Sequence, residues 1–238
     1  MSPRRLLLFA AAAFLTAGTA LAAVPAAELD RLTRLFDTVA FGAEMPGAKS
    51  SDALRKWHGE VRYKIGGSAA VRAPVKKHAT ALATLTGLAY RELPGAEKGE
   101  NLVVMAVPRA KMAETARAIT KDEAAIAWLV EDSKGNCFFL SFSKADVIVY
   151  AAIIANAELP PERLERCLLE EMTQVLGLPN DAPAIKDPVP SYKYQGSGLA
   201  PAGELLLRAL YDSRMTAGME RPRALAVIRE VIAALIGG

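Results

Sequence analysis

Five carboxylate and amide side chains fall between positions 170 and 181: Glu170, Glu171, Gln174, Asn180 and Asp181. The stretch from Glu162 to Leu176 has the periodicity of a helix, with Leu164, Cys167, Leu168, Met172 and Val175 on one apolar stripe at about 100° per residue. Glu171 falls about 20° from Leu164, inside that stripe. A carboxylate on a core face is costly unless it is paired, hydrogen-bonded or kept protonated. Glu171 therefore reads either as a buried structural pair or as the acid–base or ligand group of a cleft lined by this helix. Glu170 and Gln174 lie one turn apart on the flank of the stripe. Asn180 and Asp181 follow the Gly177 that closes the helix.

The donor set limits the chemistry. Zinc wants imidazole or thiolate, with carboxylate as a lesser ligand. The chain has two histidines, His58 and His78, and two cysteines, Cys137 and Cys167, none of them among the five. No zinc, and no other metal or cofactor, is expected. Calcium or magnesium would find only oxygen donors from one helix and one loop, a thin cage. A hydrogen-bonded polar network suits the cluster better.

The N-terminus carries an address. Arg4 and Arg5 precede an apolar run from Leu6 to Leu15, and Ala20-Leu21-Ala22 resembles a small-residue cleavage site. That is the pattern of a signal peptide over residues 1–22, and its apolar run is shorter than the roughly 20 residues of a membrane span. The reading implies an exported protein, periplasmic or extracellular, with no integral span after cleavage. Export makes the cysteine pair readable as one disulfide, Cys137 to Cys167, closing a loop of about 30 residues. The full chain has 29 Lys and Arg against 26 Asp and Glu, a net charge of +3. Removing Arg4 and Arg5 leaves 27 against 26, about +1, so no nucleic-acid partner is implied. Arg72, Lys76 and Lys77 read as a solvated helix face.

The rest of the chain must position the cluster. Helices are predicted over Ala26–Ala40, Val71–Leu85, Arg109–Thr120, Asp122–Val130, Pro201–Tyr211 and from Pro222 to about Ile236. Strands are predicted over Trp57–Ile65, Gly87–Glu92, Asn101–Val107, Cys137–Phe142 and Asp146–Ile153. The segment from Asn180 to Ala200 reads as a long loop rich in Pro, Ser and Gly. The order predicts one α+β domain over 23–238, a small mixed sheet with helices and then a helical C-terminal part.

Written out, Glu170 to Asp181 is E-E-M-T-Q-V-L-G-L-P-N-D. It resembles the metzincin zinc peptidase motif H-E-x-x-H-x-x-G-x-x-H/D with its ligands replaced. Glu170 stands at the first histidine position, Gln174 at the second and Asn180 at the third. Glu171, at the general-base position, and Gly177 are kept. The stretch from Leu206 to Asp212, with Met215 and Met219, resembles the region of the metzincin Met-turn. Over about 36–219 the chain resembles more closely an uncharacterised exported bacterial family, domain of unknown function 2927. That likeness rests on Cys167 to Asp181, on Leu210-Tyr211-Asp212 and on Gly218-Met219. The resemblance implies a metzincin-like fold without zinc. The expected function is binding of an envelope protein or peptide, with Glu170, Gln174, Asn180 and Asp181 as the cleft cluster. The alternative is a divergent hydrolase using Glu171, with or without a hard cation.

Overall fold

A computed structural model describes residues 24–42, 50–182 and 198–237. The expected signal peptide and most of the loop after Asn180 lie outside the described residues. In chain order the elements are α1 (Ala26–Phe41), β1 (Lys56–Trp57), β2 (Val61–Gly67), α2 (Arg72–Thr86), β3 (Tyr90–Glu92), β4 (Leu102–Val107), α3 (Met112–Arg117), α4 (Glu123–Asp132), β5 (Cys137–Lys144), β6 (Val147–Asn156), α5 (Pro161–Gln174), α6 (Pro201–Leu210) and α7 (Arg221–Gly237).

The strands form one mixed sheet. β4 pairs in parallel with β2 and β6, and β3 extends the sheet in parallel beyond β2. β1 pairs in parallel with Val147 and Ile148 of β6. β5 runs antiparallel to β6, from Lys144 opposite Val147 to Cys137 opposite Ala155. Among the described residues β5 has no strand on its outer side. The pattern follows from burial. β6 has helices over both faces, and its run from Ala151 to Asn156 is buried throughout, as a central strand requires. β4 alternates instead, turning Leu102, Val104 and Ala106 to the larger core.

That core joins one face of the sheet to α1, α2, α5, α6 and α7. A smaller one on the opposite face packs Phe138 and Ile154 against Met112 and Ala116 of α3 and Ile126 of α4. The apolar C-terminal helix buries Ala224, Ile228, Val231 and Ile232, and two ion pairs clamp it to α1: Arg221 to Asp37, bidentate at 2.7 and 2.8 Å, and Arg229 to Asp30 at 2.8 Å. The basic face of α2 is paired with acids: Arg72 and Lys76 meet Glu92, and Lys77 meets Glu165. The predicted strand from Trp57 to Ile65 is two strands. The chain turns at His58–Glu60 because β1 and β2 serve different neighbours, β6 and the β3/β4 pair.

Lys56 is buried where β1 passes under the end of α6. Its Nζ donates to the carbonyls of Leu210 (2.8 Å) and Met215 (2.9 Å) and lies 4.5 Å from the centre of the Tyr211 ring. Burial pulls its pKa down to about 8 against a weaker upward pull from Asp212. Between that value and the ordinary 10.5 the unfolded chain binds more protons than the folded one, so this group makes stability rise with pH. Above about pH 10 the effect is opposed, because burial raises the pKa of Tyr63 and Tyr90 and the unfolded chain ionises first. Unfolding free energy should therefore climb between pH 8 and 10 in the wild type, with a clearly shallower climb in Lys56→Met. Equal slopes in denaturant titrations of the two proteins would refute the assignment.

Candidate functional site

α5 begins at a Pro160-Pro161 pair, with Pro161 in the first turn where its missing N–H costs nothing. Its core stripe is Leu164, Leu168 and Met172. On the side turned from the core, Arg163, Arg166, Glu170 and Gln174 follow one another at helical spacing. Cys167 and Glu171 lie on the border between the two.

The helix ends on a set of side-chain donors that satisfy its last carbonyls. The Trp57 indole N–H donates to Val175 O at 2.8 Å and the Tyr211 hydroxyl to Leu176 O at 2.8 Å. The Trp57 backbone N–H donates in turn to the Tyr211 oxygen at 3.3 Å. Burial raises the Tyr211 pKa, so the phenol stays protonated as this bond requires. Gly177 then turns the chain at φ +114°, with its α-carbon so close to the Arg55 carbonyl that an added Cβ would sit 2.3 Å from that oxygen. The turn delivers Asn180 beneath the end of α1, where its backbone N–H and its Nδ2 both donate to Val39 O, at 3.1 and 3.2 Å.

All five residues of the predicted cluster line one cavity of about 740 Å³. The opposite wall is the end of α4 and its turn into β5, with Trp128, Asp132 and Lys134, and the first residues of β5, with Phe139. The Cys137–Cys167 disulfide, with α-carbons 6.0 Å apart, ties the start of β5 to the middle of α5 and belongs to the lining. The cysteine pairing expected from the sequence is therefore present.

Within the cavity the side chains differ in state. Glu171 is only 8% exposed, while Glu170 and Asp181 are exposed. The Gln174 amide donates to Asp181 Oδ1 at 2.6 Å. Asn180 is 8% exposed and its amide is committed to Val39. Glu170, Gln174 and Asn180 are thus brought to one cavity, yet two of the three point their amide N–H groups at protein oxygens. Among the described residues no group of three or more His, Cys, Asp or Glu side chains is arranged to hold a metal ion. Neither histidine is here. His58 is exposed, and His78 is buried between α2 and α5 with Nε2 3.2 Å from Glu165 O; burial lowers its pKa. Met215 and Met219 are core residues behind the helix end.

Sequence reasoning did not single out Arg163, Arg166, Lys134, Trp128 or Phe139 as site residues. Only the arginine pair had a legible signal, the i, i+3 spacing that continues to Glu170 and Gln174. It also passed over Glu204, fully buried on α6.

The fold is a mixed α/β one built on a largely parallel sheet with seven α-helices among the described residues. A family model described as "Protein of unknown function (DUF2927)" matches residues 30–230, and the chain belongs to that family. Neither a curated protein nor a solved structure matches it.

Proposed function

We propose that this is an exported protein whose cleft binds an extended peptide or a segment of an envelope protein, in a degenerate, zinc-free peptidase-like fold. The cavity carries the reading: five residues chosen from the sequence for their chemistry line one concave site with Trp128 and Phe139. Sites for ligands are typically concave, mostly apolar and furnished with a few placed polar groups. The outer side of β5 runs from the cavity with no strand on it among the described residues, and an exposed strand edge can add a peptide strand by main-chain hydrogen bonds. Export is supported by the leader pattern and is compatible with the disulfide; no described helix is long and apolar enough to cross a membrane. The donor set argues against zinc, because Glu170, Gln174 and Asn180 replace three imidazoles by oxygen donors, two of them neutral.

A hydrolase using Glu171 is the second reading. It is favoured by the burial of that carboxylate at the cavity wall, the kind of place where a general acid or base is held within reach of a bound substrate. One experiment separates the two. The oxidised chain is incubated with labelled peptides, and binding and cleavage are both recorded for the wild type, Glu171→Ala and Glu171→Gln. The binding reading expects saturable binding without cleavage, weakened about tenfold or more by Glu171→Ala with circular dichroism and melting temperature retained, and zinc far below one per chain. Cleavage abolished by Glu171→Gln would establish the hydrolase instead. Undiminished binding by a folded Glu171→Ala protein would remove Glu171 from the site.

A further inference from the structure

The cleft changes sign along its length. At the end where α5 begins, Arg163, Arg166 and Lys134 line the cavity, and none of them has a carboxylate partner among the described residues. Lys134 belongs to this end because its turn is fastened to the last residue of β6: the Asn156 amide donates to Gly135 O at 2.8 Å, and α5 starts five residues later. Asp132 is the one acid beside them on the lining. Glu165, the acid between the two arginines on α5, is taken up by Lys77 of α2 at 2.5 Å and does not neutralise them. Toward the other end of the helix the lining is acidic, with Glu170, Glu171 and Asp181.

Some basic side chains elsewhere on the surface are matched, Arg91 by Glu60 and Glu97, Arg117 by Glu123 and Arg214 by Asp212; what sets Arg163, Arg166 and Lys134 apart is that they share one concave lining. Two guanidinium groups and an ammonium left together in a concave site offer the donors that a carboxylate accepts, and guanidinium can do so bidentately. At 1.5 Å per residue, Arg163 and Gln174 are about 16 Å apart along the helix, the length of roughly five extended peptide residues.

We infer that the cleft selects a peptide carrying a carboxylate, held by Arg163, Arg166 and Lys134, with the following four or five residues laid along α5 toward Glu170 and Asp181. The inference rests on the peptide-binding reading and adds the class of peptide. The carboxylate is supplied either by a free C-terminus or by an Asp or Glu side chain.

The test is fluorescence anisotropy of the oxidised chain with three labelled hexapeptides of one neutral sequence: with a free C-terminus, amidated, and amidated with one internal Asp. The wild type is expected to bind at least one of the acidic peptides about tenfold more tightly than the neutral amide, the difference one charge-assisted contact provides. The peptide that gains identifies the source of the carboxylate. In Arg163→Gln/Arg166→Gln, both positions being exposed, that preference should vanish, the acidic peptides falling to the affinity of the neutral amide. Circular dichroism and melting temperature confirm the fold. Equal binding of all three peptides by the wild type, or a preference that survives in the double variant, overturns charge selection and leaves peptide binding standing. Binding of none of the three up to millimolar concentration overturns charge selection together with the reading beneath it.

Discussion

Replacing Cys137 and Cys167 with alanine is expected to lower the unfolding free energy by about 3–4 kcal/mol. The bridge spans 30 residues, and in the chain-entropy model a loop of that size restricts the unfolded ensemble by roughly that amount. Alanine is preferred to serine because both positions are buried, and a hydroxyl without partners there would add its own cost. For a chain of this length the change corresponds to a fall in melting temperature of about 7–14 °C. Calorimetry of the wild type with and without reductant should show the same fall. A drop below about 1 kcal/mol would mean that the reduced chain is held by other contacts. The effect reaches the cleft too, since the bridge joins the strand on one side of the cavity to the helix on the other. Peptide affinity should fall in the bridge-free protein even at temperatures where it remains folded.

Gly177→Ala should be about as damaging. A left-handed residue other than glycine costs on the order of 1–3 kcal/mol. Here the new methyl group would also lie 2.3 Å from the Arg55 carbonyl oxygen and 3.2 Å from Leu210 Cδ2. The backbone carbonyl cannot rotate away as a side chain would, because Arg55 adjoins β1. A loss of at least 3 kcal/mol is expected from strain and overlap together. Gly87 gives the control: its φ is +70° and nothing lies within 4 Å of its added Cβ, so Gly87→Ala should cost only the strain, about 1 kcal/mol. Chemical denaturation of the two variants measures the difference. Equal losses would show that the chain after α5 moves aside. Because that chain carries Asn180 and Asp181, surviving Gly177→Ala protein should also have a displaced site.

Much of this could be read from local sequence. The Pro-initiated helices α5, α6 and α7 stood out because proline starts and apolar periodicity agree. The oxygen-rich cluster around Glu171 was legible because a carboxylate on an apolar stripe is anomalous at any distance from its partners. The sheet was not. That β5 alone runs antiparallel, and that Trp57 and Val61 belong to different strands, depends on pairings between residues far apart in the chain, which no window of alternation contains. The orientation of Asn180 was equally hidden, since its amide is directed by Val39, more than a hundred residues away. Arg163 and Arg166 are ordinary surface arginines until the end of α4 and Lys134 are placed opposite them.

The clamp between α1 and α7 bears on how the molecule comes together. Arg221 at the start of α7 meets Asp37 near the end of α1, and Arg229 further along meets Asp30 nearer its beginning, so the two helices run antiparallel. A ribosome makes α1 first and α7 about 180 residues later. Until then Leu32, Phe36 and Val39 lack part of the surface that covers them in the finished protein. The native core is thus closed by its last-made helix, and synthesis delays completion of the fold.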